Sequence, residues 1–536
     1  MTSTIRRTLL KRLIGSGIQI TPDALEYILE LKKPIAAVES IIVSHTPENS
    51  PPVLSQEHLR EVLQSTPEME EDPSKTDSDT NQPASDDLGA ELDHSQAGYS
   101  LWNINVITNP DRDSVGSGGS VEDFLDLFND RFNRIKQIYM SRIDTKNSIS
   151  PLEARERKEN RHRKSLRNGG RHSRRTVHKV IGMVKNKRIS RSRNVIVEIE
   201  DPKGDILCVI PSNRKGLNGK ELLEKGNALL LDEVTCLSGH IDQDGRMIAK
   251  DVIFPDIPTA ATTGRADRTV YAAFISDLHF GSKEFLEDDF DRFIDWLRGI
   301  DVEDSEKKIV QNIRYLFVAG DLVDGIGVYP NQRDDLLIPD IYEQYAQLTA
   351  KLRRVPESMK IVCIPGNHDA CRRALPKPPL PREFAAPLYD LGNQIMILGD
   401  PCQVVVEGVN ILITHGDSLD DLVTAIPGMS YKAPAEPMKY LLKKRHLTPL
   451  YGGKTQLAPL SRDWMVIDTP PDIVHFGHAH HNAMDTYRGV QIINSGTFQA
   501  QTEFMRKQGI EPTPGIVSVV NLRNLAPDVK VFHVYE

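Results

Sequence analysis

Cysteine is scarce in this chain, with only five among 536 residues, at positions 208, 236, 363, 371 and 402. Their spacing gives neither a thiolate metal site nor the dense framework of a small secreted domain, so a reducing cytosol is the expected compartment. Long apolar runs are also missing. Nothing approaches the roughly 18 residues that a membrane-spanning helix needs. The opening MTSTIRRTLLKRLIGSG has basic residues but no apolar core adequate for a secretory signal. A basic excess is absent too: Lys+Arg 66 against Asp+Glu 75 leaves a net charge of −9. That excludes a general nucleic-acid-binding coat, though not a local patch. Aromatics are only 6%, beside 34 prolines and 35 glycines, which points to substantial linker. What remains, 39% hydrophobic and 26% charged residues over this length, is enough for two or three folded domains.

Residues 1–63 read as a small helical docking domain. Thr21 caps a helix with Pro22 and Asp23 in its first turn, and Leu25, Ile28, Leu29 and Leu31 share an apolar face. A second short helix is expected over SQEHLREVLQ. Either a partner or the rest of the chain covers this module. Residues 64–115 are expected to be a largely disordered acidic linker, because the composition from 66 to about 98 offers almost nothing to a core. Residues 116–175 form a helical and basic connector. In VEDFLDLFNDRFNRIKQIYMSR, Phe124, Phe128, Phe132 and Ile135 fall on one stripe suited to packing on the next domain rather than to stacking on bases. The following EARERKENRHRKSLRNGGRHSRR suits phosphate contact or a solvated connection. Residues 176–262 carry short strands between Gly, Asn, Pro and Asp turns, the size of a five-stranded OB-type β-barrel. On it Lys185, Lys187, Arg188, Arg191 and Arg193 are candidate DNA contacts, although no aromatic platform lies among them and a protein-docking barrel fits equally.

The chemistry begins in the last segment, 263–536. Five times an apolar strand ends in oxygen or imidazole ligands: YAAFISDLHFGS, IRYLFVAGDLVDG, MKIVCIPGNHDA, NILITHGDS and DIVHFGHAHH. Strands buried on both faces become apolar runs, and ligands gather where their carboxyl ends meet loops. Glycines 320, 366, 416 and 477 let the backbone turn tightly there. Carboxylates, imidazoles and one amide, without a thiolate, suit Mn, Fe, Zn or Mg. Two metals need a shared carboxylate, and Asp321 is the best placed to be one. Cys363 lies inside a strand and reads as core.

The segments DLHFG, GDLVDG, GNHD, THGD and GHAH resemble the five motifs of the calcineurin-like metallophosphoesterases over roughly 271–500. The resemblance implies an α/β metallophosphoesterase domain, a β-sandwich flanked by helices, with a binuclear site. Carried onto this sequence, it implies Asp277, His279, Asp321 and His480 around one metal, and Asp321, Asn367, His415 and His478 around the other. It places His368 as an imidazolium facing the scissile phosphate, so that His368 and Asp321 are the catalytic pair. Asp369, Asp417 and His481 would orient ligands or brace loops, as would Asp324. His475 and Asn494 read as structural, whereas Arg445, beside His446, is open between a DNA contact and a helix cap.

The upstream helical module and barrel narrow the resemblance to the small subunits of archaeal family D DNA polymerases, over nearly the full chain. That implies a metal-dependent 3′-to-5′ proofreading exonuclease on single-stranded DNA, with polymerisation only in complex with the large catalytic subunit. The implied cofactors are two divalent metal ions, Mn2+ ahead of Mg2+, Fe2+ or Zn2+. The implied partners are that large subunit, single-stranded and primer–template DNA, and a replication clamp reached through the complex, with no membrane. The implied location is the cytoplasm, at the archaeal chromosome. A repair nuclease, a phosphoprotein phosphatase and a non-catalytic assembly subunit are the competing readings.

Overall fold

The computed structural model describes residues 102–156, 176–213, 216–259 and 263–534, together with the isolated positions 19–20, 28 and 53–54. The chain divides into two compact units, Met1–Gln96 and Ala97–Glu536. In the first, Gln19–Ile20 pairs in parallel with Val53–Leu54, and Ile28 is helical and buried. The remaining N-terminal expectations lie outside the described residues, as do the acidic stretch 66–98 and the basic run 157–175.

The second unit contains a closed barrel and a two-sheet sandwich. The barrel strands follow β1 (Ile104–Thr108) in the chain: β2 (His178–Ile189), β3 (Val195–Asp201), β4 (Gly204–Ile210), β5 (Val234–Ile241) and β6 (Met247–Ile253). Their order is β2-β3-β4-β6-β5, closing β5 onto β2. Alternation makes this possible: Val195, Val197 and Ile199 are buried while the residues between them are half-exposed. Only β4 and β6 run parallel, with Cys208 opposite Met247.

One sheet of the sandwich is built on β7 (Tyr271–Ile275), β8 (Ile313–Ala319) and β9 (Lys360–Ile364), which run parallel with β8 in the middle, and β10 (Ile395–Ile397) extends it in parallel beyond β9. The facing sheet includes β11 (Cys402–Val406), β12 (Val409–Ile413) and β13 (Ile473–Phe476). Both faces of β7 and β8 are covered. Ala272, Phe274, Tyr315 and Phe317 fill the space between sheets, whereas Ala273, Ile275, Leu316 and Val318 turn to the helices Glu287–Leu297 and Ile341–Leu352. Helix Ala435–Lys444 covers the outer face of the second sheet through Met438, Leu441 and Leu442.

The last part of the expected linker is folded. Strand β1 adds antiparallel to β11, with Val106 opposite Val404, and Trp102 Nε1 donates to the Ser358 carbonyl at 3.0 Å. The alternation of Ile104 and Val106 with Asn105 and Ile107 carries it, a short pattern that the acidic sequence before it obscures. Helix Val121–Met140 begins with a capping box in which Ser120 and Asp123 satisfy each other's backbone N–H. Phe132, Ile135 and Tyr139 pack with barrel residues Ile181, Val234 and Cys236 and with Val466 of the sandwich. Phe124 and Phe128 meet Tyr451 edge-on at 5.8 and 5.5 Å, as the core reading of this stripe requires.

Candidate metal centre

The ligand-bearing loops leave the carboxyl ends of β7, β8, β9, β12 and β13 on one side of the sandwich. Getting the side chains to converge requires unusual backbone. Asp277, His279, Asp321, His478 and His480 all have positive φ, from 49° to 65°. Each such residue costs on the order of 1–3 kcal/mol, so the concentration marks a site where geometry outranks local comfort. Gly366 shows how tight the approach is, since a Cβ there would lie 2.1 Å from Asp321 Oδ1. The His368 N–H donates to that same oxygen at 2.8 Å.

Asp277, His279 and His480 form one group able to hold a cation, and Asp277, Asp321 and His415 form another. Asp321 Oδ2 lies 3.6 Å from His279 Nε2 and 3.3 Å from His415 Nε2, between the two sets. Asn367 Oδ1 completes the second set, at 2.9 Å from His415 Nε2 and 3.0 Å from His478 Nδ1. The structure therefore brings together all seven expected ligands.

Several atoms are arranged for a cation rather than for one another. His279 Nδ1 faces Asp324 Oδ1 at 3.0 Å and His415 Nδ1 faces the Ala319 carbonyl at 2.8 Å. Both nitrogens must carry the proton, leaving Nε2 of each ring with a lone pair. Yet His279 Nε2 stands 3.0 Å from His480 Nε2, nitrogen against nitrogen. His480 Nδ1 and Asp417 Oδ1 are buried with no hydrogen-bond partner. Such groups are costly unless something positive sits among them, so the donor set fits divalent metal. Without a metal ion, and although burial opposes it, Asp321 and then Asp277 push His415 up to about 10, so a proton takes the place on Nε2 that a cation would fill. Against the upward push of burial, neighbouring imidazoles, His415 first, hold Asp321 well below the carboxylate range.

The supporting residues divide clearly. Asp369 braces loops, accepting from Gly366 N at 2.8 Å, Leu322 N at 3.2 Å and Tyr345 Oη at 3.0 Å. Asp324 orients His279, with Gln332 Nε2 donating to its other oxygen at 2.9 Å. Asp417 pairs with buried Lys377 at 2.7 Å and stands 3.9 Å from His415, grouped with His415 and His478 as a further possible ligand. His475 meets Ser495 Oγ at 2.7 Å, and Asn494 Nδ2 donates to the carbonyls of His481 and Ser495.

Sequence reasoning missed Lys377 and Asp420. The latter fixes His478 through Nε2 at 3.2 Å and accepts from Tyr431 Oη at 2.7 Å. The acidic run after THGD was the available signal for Asp420. No local signal marked Lys377, which reaches Asp400 and Asp417 only through the fold.

Four expectations need correction. His481 does not orient a ligand; its ring faces the Glu511 carbonyl at 3.3 Å. Arg445 is buried, at the left-handed C-cap of helix Ala435–Lys444, and donates to the carbonyls of Ile467, Asp256 and Asp468, which removes it from DNA. Lys187 is half-buried and spends its ammonium on the carbonyls of Asn227 and Leu229. His368 donates from Nδ1 to the Asp324 carbonyl at 2.8 Å, and burial lowers its pKa, so the neutral ring is favoured over the expected imidazolium. It also lies within one ligand group, with His279 and Asp321. Lys185, paired with Glu200 at 3.1 Å, and Arg188 remain on the barrel surface.

Ligand groups that share Asp277, with Asp321 set between His279 and His415, constitute a metallophosphoesterase-type metal-binding arrangement. Residues 272–485 match the B-subunit family of DNA polymerases alpha and epsilon. The chain is 40% identical over 408 residues to the DNA polymerase II small subunit of Methanocaldococcus jannaschii, covering 75% of this chain and 64% of that protein. For the Archaeoglobus fulgidus protein of the same name the identity is 40% over 401 residues, covering 75% of each. For that of Halobacterium salinarum it is 34% over 428 residues, covering 79% and 78%. The chain belongs to the archaeal DNA polymerase II small-subunit family.

Proposed function

We propose that this chain is the metal-dependent 3′-to-5′ exonuclease of a heterodimeric archaeal replicative polymerase, removing nucleotides from single-stranded DNA ends. DNA polymerase activity belongs to its complex with the large catalytic subunit. The carrying observation is Asp321 between two ligand groups, in a family named for DNA polymerase. We read Asp277, His279, Asp321 and His480 as holding one divalent ion and Asp321, Asn367, His415 and His478 as holding the other, Mn2+ being favoured. When bound, such ions supply an acidic water and neutralise charge on a phosphodiester. Asp321 fixes the spacing of the two sets. Lys377, Asp400 and Asp417 stabilise the His415 side, and Asp420 aims His478. His368, tied by Nδ1–H and neutral at rest, offers the Nε2 lone pair to the cavity, where it would take the proton that the attacking water loses and pass it to the departing oxygen.

The barrel, with its β2-β3-β4-β6-β5 order, reads as an OB fold within 176–262, and 263–536 as the phosphoesterase domain. The 1–63 module reads as a docking domain, and the barrel and the exposed sheet surfaces would hold the large subunit. We read Lys185 and Arg188 as the barrel residues that meet primer–template DNA, and the clamp would be reached through the complex at the chromosome in the cytoplasm. No helix among the described residues is long and apolar enough to cross a membrane.

End-labelled single-stranded DNA with Mn2+ tests this, using the isolated chain, its complex with the large subunit, and Asp321→Ala in each. Stepwise shortening from the 3′ end, lost in the folded variant, is the expected result. Intact DNA with the folded, metal-loaded complex would overturn it and favour the phosphatase or assembly-subunit reading.

A further inference from the structure

The ligands form one wall of a cavity of about 410 Å³, and its mouth has a composition the metal chemistry does not explain. Phe504, on helix Glu503–Gln508, is 60% exposed at that mouth. The helix is anchored, with Thr502 capping the Met505 N–H at 3.2 Å and the Met505 side chain buried. Phe504 is thus held outward. Its ring runs near-parallel to Tyr329, with centroids 6.4 Å apart and planes at 21°. Tyr329 is itself fixed, since its hydroxyl donates to Asp335 Oδ2 at 3.0 Å. On the inner side its ring lies 6.3 Å from that of His368.

Three rings therefore lead from the proton-handling histidine to solvent, and Lys454 also lines the cavity. A flat heteroaromatic group, one nucleotide away from a phosphodiester at the metals, matches this path. Base–aromatic stacking is indifferent to sequence, as an enzyme that removes any nucleotide requires. A phosphoserine or a sugar phosphate offers nothing flat to it. A paired end keeps its base faces against neighbouring pairs, whereas an unpaired end can present one.

We propose that Phe504 and Tyr329 form a stacking platform for the unpaired terminal base of the DNA strand whose end is being hydrolysed, selecting frayed or mispaired ends. The platform rests on the nuclease reading above and adds to it the feature that recognises an unpaired end.

The test uses the full chain in EDTA with a single-stranded oligonucleotide carrying 2-aminopurine at its 3′ end. Stacking should quench the fluorophore on the wild type. Phe504→Leu, apolar but without a π face, should lose the quench and weaken end binding by roughly 5- to 150-fold, the range for one stacked base. Phe504→Tyr should restore both. With Mn2+, losing the ring and losing the terminal base, through an abasic 3′ residue, should not add, because either change removes the same contact. Equal quench and affinity in Phe504→Leu, or additive losses, would overturn the platform while leaving the nuclease reading intact. A wild type that neither binds nor cleaves single-stranded DNA would overturn both.

Discussion

Two buried clusters of Asp and His in this molecule use the same residue types to opposite ends. In one, Arg131 Nε donates to Asp463 Oδ2 at 2.6 Å, and His446 Nε2 donates to the same carboxylate at 2.9 Å. Thr448 N–H donates to His446 Nδ1 at 3.0 Å, so that ring is neutral and both its nitrogens are satisfied. Arg131 Nη1 also reaches the carbonyls of Asp232 and Pro449, tying the connector helix to the barrel and the sandwich. Apart from Arg131 Nη2 and the Thr448 hydroxyl, that cluster is complete. In the metal centre nitrogen faces nitrogen, and His480 Nδ1 and Asp417 Oδ1 have no partner. Burial alone does not separate a structural charge network from a functional one; the direction of the unshared lone pairs does.

The comparison breaks most visibly at Asp321. Asp321→Ala should remove several kcal/mol of transition-state stabilisation, on the order of a thousandfold in nuclease rate, with circular dichroism unchanged. Bound metal per chain should fall in the same variant. Arg131→Ala should behave in reverse, leaving metal content near normal and lowering stability by about 3–5 kcal/mol, because it strands the Asp463 carboxylate. Denaturant melts of the two variants, read beside metal analysis, check both. A third difference is smaller. Mn2+ at about 100 times its dissociation constant should stabilise the wild type by about 2.7 kcal/mol for each ion bound, and a chelator should cancel it. Arg131→Ala should keep that increment and Asp321→Ala should lose most of it, as read by thermal shift.

How much of this was legible in sequence differs between the clusters for a physical reason. The candidate metal ligands announce themselves because each follows a strand that must be apolar on both faces, so five short motifs carry both fold and chemistry. Arg131, Asp463 and His446 are separated by up to 332 positions and belong to no repeated pattern. Arg131 sits among the charges of an amphipathic helix, and nothing local distinguishes it from a solvated one. Strand β1 was hidden for a related reason: five residues of alternation beside an acidic tract are weak against the composition around them. Arg445 was ambiguous because a cation after KYLLKK serves a helix terminus or a phosphate equally well, and only its burial decides.

The smallest expected effect is in acid. His446 is held down to about 4 by burial and then by Arg131, and His475 to about 3 by burial. Both are histidines whose folded pKa lies below the unfolded value of about 6.5, so the unfolded chain binds more protons between those limits. Stability from each is fully present above about pH 6.5 and is lost as pH falls toward its folded pKa. At pH 5 the share of His446 amounts to about 2 kcal/mol, at roughly 1.4 kcal/mol per pH unit. His446→Gln, which can still donate to Asp463 and accept from Thr448 but does not titrate, should flatten that part of the stability profile between pH 6.5 and 5. Metal ligands also protonate in this range, so the melts belong in chelator, where their contribution is common to both proteins. Parallel profiles for wild type and variant would show that His446 is not neutral in the fold, and the closed cluster would then resemble the metal centre more than its hydrogen bonds indicate.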